Sequence, residues 1–143
     1  MVCADTSFLI SLYGTDVNTP AAKQHVAGAA DRLVVHAISD FEFANALRLL
    51  VFRGKINARQ RAAWQANYEA DQAAGIILAT AIEVNAVFRV AEVMSSTRTE
   101  TGGHRGYDIL HVAAAKLLSA TEFWSFDGKQ RALAAAEGLK VGP

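Results

Sequence analysis

Very short apolar runs alternate with helix punctuation along the whole chain, and this alternation constrains the fold more than anything else. Val2-Cys3-Ala4, Leu33-Val34-Val35 and Phe123-Trp124-Ser125 are too brief for helices and carry no charge. Strands of this kind belong in a sheet whose two faces are both covered. Between them lie start and stop signals for helices. One helix begins near Ser7 and stops at Gly14. Thr19 as a cap before Pro20 predicts a second, running to about Ala30. Ser39 with Glu42, and Asn57 with Gln60, have capping-box spacing and open helices that end before Gly54 and Gly75. Ile76 to Ile82 reads as a buried strand, followed by a helix from Asn85 to Met94 and a polar loop from Ser95 to Gly106. A helix from Tyr107 to about Leu118 precedes the Phe123 strand. A last helix from Lys129 to Glu137, closed by Gly138, precedes a strand at Leu139 to Val141. The expectation is an α/β fold spanning 1–143 as a single domain, with a central, mostly parallel sheet in an α/β/α arrangement.

Composition supports this. With 52% apolar residues over 143 positions the chain can fill a core, which excludes a disordered chain. Its single cysteine, Cys3, excludes an internal disulfide and a Cys₂ metal pair, and reads as a small buried hydrophobe. No apolar stretch is long enough to span a bilayer, and Met1 to Asp5 has neither a basic nor an apolar leader segment. A cytoplasmic protein with no membrane association is expected.

Ligand sites in open parallel sheets form beyond the carboxyl ends of the strands. Asp5 follows the first strand, Glu42 the second and Asp127 the fourth, while Asp108 opens a helix after the polar loop. Such carboxylates raise one another's pKa unless a cation compensates, and hard oxygen ligands favour Mg²⁺ or Mn²⁺. The chemistry this set can support is phosphodiester hydrolysis, with a metal-activated water and a carboxylate base. No serine or cysteine triad pattern competes with it. Each acid also has a plain structural reading: Asp5 and Asp108 as helix caps, Glu42 as half of a capping box, Asp127 before Gly128 as a turn residue.

Asp5-Thr6-Ser7, Glu42-x-x-Asn45, Tyr107-Asp108-x-x-His111 and Ser125-Phe126-Asp127 occur in this order, and together they resemble the PIN-domain family. Within it the chain is most like the VapC-type ribonuclease toxins of toxin–antitoxin systems. Ser125 stands where threonine is commoner, and a hydroxyl is kept. The resemblance implies a three-layer PIN-like fold and a Mg²⁺- or Mn²⁺-dependent endoribonuclease. It also implies Asp5, Glu42, Asp108 and Asp127 as catalytic and metal-binding acids, and a cognate antitoxin. Thr6, Ser7, Asn45, His111 and Ser125 are expected to support these acids through hydrogen bonds to carboxylate, water or phosphate.

Partners are suggested by two stretches. Arg48, Arg53, Lys55, Arg59 and Arg61 fall in one acid-free run; Arg48, Arg53 and Lys55, with His104 and Arg105, are candidates for binding RNA phosphate. Setting the four site acids aside leaves 10 acidic against 14 basic residues, so a net charge of zero does not exclude RNA. Phe41 to Phe52 is apolar nearly all round, as in a helix buried in the core or in a homodimer or antitoxin contact. The competing reading is a PIN-like RNA-binding or scaffold module without significant catalysis. A nucleotide-binding α/β domain is disfavoured because neither G-x-G-x-x-G nor a P-loop occurs.

Overall fold

The computed structural model describes residues 1–143. Five strands, β1 (Val2–Ala4), β2 (Leu33–Val35), β3 (Leu78–Ala79), β4 (Glu122–Trp124) and β5 (Lys140–Gly142), form one sheet in the order β3-β2-β1-β4-β5. Every neighbouring pair is parallel. Seven helices connect them: α1 (Thr6–Tyr13), α2 (Thr19–Ala27), α3 (Ala37–Phe52), α4 (Ala58–Ala73), α5 (Val84–Gly102), α6 (Gly106–Leu117) and α7 (Gly128–Ala136).

Side chains alternate across β1 and so divide the core in two. Val2 and Ala4 join an apolar cluster with Phe8, Leu9, Phe43, Leu47 and Tyr68 from α1, α3 and α4. Cys3 joins the other cluster, with Val87, Val112 and Leu133 from α5, α6 and α7. The sheet is thus covered on both faces, as its uniformly apolar strands require. Phe43 and Leu47, one helical turn apart on α3, are completely buried; burial of Phe43 alone contributes about 2–3 kcal/mol. Gly14, after α1, is needed for packing, because a Cβ there would lie 2.7 Å from the Trp64 ring. Strand β1 has β2 on one side and β4 on the other: the chain builds outward from β1 through β2 to β3, then crosses back past β1 to β4 and on to β5, reversing the strand order at β1. That reversal opens a crevice at its C-terminal end, beside Asp5.

Several local expectations are corrected. The Ile76–Ile82 strand shrinks to Leu78–Ala79, an edge strand pairing only with β2; Ile77 is buried but Leu78 is partly exposed. The polar loop from Ser95 is instead helical as far as Gly102. Its hydroxyls bond within the helix, Ser96 Oγ to Val93 O at 2.9 Å and Thr97 Oγ1 to Met94 O at 3.1 Å, so they do not break it. Gly103, at φ 63°, supplies the left-handed residue that ends α5. The cap of α3 is His36 and not Ser39, because the chain turns directly out of β2. Asn18, not Thr19, caps α2, which ends at Ala27. The Asn57–Gln60 capping box forms as expected.

Candidate active site

Asp5 leaves β1 in an extended conformation and caps α1. Its Oδ1 accepts from the Phe8 amide at 3.0 Å and from Ser7 Oγ at 2.7 Å. Its Oδ2 accepts from Ser125 Oγ, also at 2.7 Å, across from the end of β4. Asp5 is only 3% exposed, and burial pushes its pKa up against the pull of these three donors. An ionised Asp5 therefore sits in a place that favours a compensating cation.

Glu42 lies in the second turn of α3. Thr6 Oγ1 and His111 Nε2 both reach its Oε2. Burial pushes its pKa up, but hydrogen bonds from His111 and Thr6 outweigh that and hold the carboxyl below its ordinary value. His111 is buried on α6, and its ring lies 6.2 Å from that of His36. Burial pushes His36 down to about 4, and the nearby His111 acts in the same direction while Asp40 opposes both.

The other two acids are more open. Asp127 follows β4 and caps α7, its Oδ1 accepting from the amides of Lys129 at 2.7 Å and Gln130 at 3.2 Å. Its own amide donates to Ser125 Oγ at 2.9 Å. Asp108, in the first turn of α6, accepts from the Arg105 amide at 3.1 Å and from Gln130 Nε2 at 3.3 Å.

These contacts close a circuit. Asp5 is tied through Ser125 to Asp127, and Asp127 through Gln130 to Asp108. From Asp108 the α6 backbone leads one turn on to His111, then through Glu42 to Thr6, next to Asp5. The circuit brings the four predicted acids to one end of the sheet, with Thr6, Ser7, His111 and Ser125 among their partners. The donor set is of hard oxygens, and neither Glu42 Oε1 nor Asp127 Oδ2 receives a protein hydrogen bond. In kind, these residues fit a divalent cation. No three His, Cys, Asp or Glu side chains lie close enough together to hold an ion between them, so binding one would require the carboxylates to draw together.

The remaining candidates stand apart. Asn45 is exposed one turn beyond Glu42, and His104 and Arg105 form the link into α6 beside Asp108. Arg48 is exposed farther along α3. Arg53 and Lys55 lie at the α3–α4 turn, with Arg53 about 16 Å from Glu42 along the helix axis. The base of that hairpin is fastened by Asp40, which accepts from Tyr68 Oη at 2.6 Å and Gln72 Nε2 at 3.1 Å. The role of Gln130 is not evident in the sequence, although its place three residues after Asp127 matches a first-turn capping position. His36 likewise passes unnoticed, its signal being that it directly follows a strand.

The family model for the PIN domain matches residues 2–136. The chain belongs to the PIN domain family. Among solved structures, this PIN domain is similar to VapC20 of Mycobacterium tuberculosis, described as a sarcin–ricin-loop-cleaving toxin. The identity is 19%, the TM-score 0.72, and both chains are covered in full. It is also similar to FitAcB from Neisseria gonorrhoeae, at 18% identity and TM-score 0.62 over 100% of this chain and 97% of that one. PAE2754 from Pyrobaculum aerophilum matches at 16% identity and TM-score 0.59, over 98% of this chain and 82% of that one. No curated protein matches the sequence. At these identities the likeness concerns the fold, and it agrees with the expected three-layer α/β/α architecture with its parallel sheet.

Proposed function

We propose that this PIN domain is a divalent-metal-dependent endoribonuclease and the toxin half of a toxin–antitoxin pair. The observation that carries the reading is the circuit of hydrogen bonds and short backbone links joining Asp5, Glu42, Asp108 and Asp127 where the strand order reverses. PIN domains are typically nucleases, and the similar VapC20 is described as a toxin that cleaves the sarcin–ricin loop. Mg²⁺ or Mn²⁺, when bound, would supply charge neutralisation at phosphate and a more acidic bound water. In this reading Asp5, fixed by three donors, is the rigid ligand. Glu42, Asp108 and Asp127 complete the oxygen set. Asn45, His104, Arg105 and Arg48 face substrate nearby, while Arg53 and Lys55 hold RNA farther out along the α3–α4 hairpin.

Partner binding is read from α3, α5 and α6. Phe41, Leu49 and Phe52 on α3 are exposed, and Phe41 lines an apolar groove with Phe88 of α5 and Tyr107 and Leu110 of α6, a surface suited to an antitoxin or a second copy. No helix is long and apolar enough to cross a membrane. The open spacing of the acids favours one second reading, an RNA-binding module without catalysis. Inducing the chain in a bacterial host separates the two. Growth arrest that Asp108→Asn relieves is expected of the nuclease; arrest that persists, or Mn²⁺-independent cleavage by the purified protein, would sink it.

A further inference from the structure

The Glu42 carboxylate is held asymmetrically. Both donors that reach it, Thr6 Oγ1 and His111 Nε2, end on Oε2, and Oε1 receives none. They come from different directions: Thr6 opens α1 directly after Asp5, whereas His111 lies on α6 one turn beyond Asp108. The terminal torsion of a glutamate is broad, so a single donor would leave the carboxylate free to rotate. Two donors on one oxygen set both its position and its rotation.

His111 is built for this contact. It is 1% exposed, among α6 neighbours Val112, Ala114 and Ala115 that are wholly buried, so the ring cannot swing away to solvent. A carboxylate oxygen only accepts, so Nε2 carries a hydrogen and donates it. The other nitrogen, Nδ1, is buried without a partner, which leaves Glu42 as the ring's one polar contact. A histidine serving only as packing would need no such partner, and an apolar side chain would fill the space at less cost.

We propose that His111, with Thr6, is a positioning residue that clamps Glu42 through Oε2, so that Glu42 meets the divalent cation with Oε1 alone. This rests on the metal-site reading given above. Orientation of a ligand by outer hydrogen bonds is a general device of metal sites, and its loss typically weakens metal affinity about 10–100-fold.

The test measures Mn²⁺ binding directly, by loss of the free-ion paramagnetic resonance signal during titration of the whole chain with no RNA present. His111→Leu, which fills space without a donor, is expected to bind Mn²⁺ about 10-fold more weakly. His111→Gln, which keeps an N–H at similar reach, should recover most of that loss. Thr6→Val, at a half-buried position, should weaken binding about 3-fold, as loss of one hydrogen bond does. If the histidine variants fail to fold, Thr6→Val decides the matter, and unchanged affinity there overturns the proposal. Wild-type binding that survives His111→Leu, or a glutamine variant as weak as the leucine one, also overturns it while leaving the metal site standing. Absence of Mn²⁺ binding by the wild type overturns the metal-site reading and the clamp together.

Discussion

Asp5 and Asp127 leave the C-terminal ends of the adjacent strands β1 and β4, and each caps the helix that follows, yet their surroundings differ sharply. Asp5 is buried, and its two oxygens share three donors, two of them side-chain hydroxyls. Asp127 is exposed, and its carboxylate bonds only the two amides of its own helix. One local device thus serves two ends: at Asp127 it starts a helix, and at Asp5 it also places a carboxyl where burial disfavours its charged form. Around Asp5 the pinned half of the site continues through Thr6, Glu42, His111 and His36. Around Asp127 the open half continues through Gln130 to Asp108.

Exchanging each acid for its amide would sharpen this contrast most. Asp5→Asn should reduce metal-dependent RNA cleavage about 10²–10³-fold. Because burial raises the pKa of Asp5, its ionised form destabilises the fold at neutral pH. The metal-free variant should therefore melt at a higher temperature than the wild type. A lower melting temperature would mean that the three donors more than offset burial.

The next largest effect belongs to His36. Its folded pKa is depressed to about 4, below the ordinary 6.5, so as pH falls the unfolded chain takes up the proton first. Stability should be intact above about 6.5 and lost between there and about 4, by an amount on the order of 3 kcal/mol. His36→Asn keeps a capping side chain without the titration, and denaturant melts across this range should then show a flatter profile. An unchanged slope would place the acid sensitivity elsewhere.

In the open half, Asp127→Ala should cost about 1 kcal/mol of stability through the lost cap. Asp127→Asn should cost almost none, since asparagine caps equally well. Equal losses in both variants would show that the charge, and not the cap, sustains α7. The smallest effect is expected farthest from the acids. Arg53→Ala with Lys55→Ala should weaken RNA binding at low salt, and each lost cation should reduce the salt slope by about 0.7. A slope that does not change would remove the hairpin turn from the RNA path.

Capping chemistry shows how far the residues speak for themselves. Asn57 and Gln60 form the box their spacing predicts, because the turn before α4 is set by neighbours in sequence. Ser39 and Glu42 have the same spacing and form none. There β2 ends at Val35, His36 takes the cap, and Glu42 is left free to meet His111. The stretch after Ser95 misleads for a related reason. Serine and threonine favour loops only when no helix carbonyl is within reach, and packing of α5 against α6 supplies both the helix and the carbonyls.

The alternation of short apolar strands with capped helices, the acids at strand ends and the family to which the chain belongs were all determined by the sequence, since periodicity and capping act over a few residues. The tertiary structure decided which of those acids is buried and what each one touches. Ser125 reaches Asp5 across 120 positions and His111 reaches Glu42 across 69. Contacts so distant exist only once parallel crossovers have brought β1 and β4 side by side and laid α6 against the sheet, and no local preference specifies that encounter.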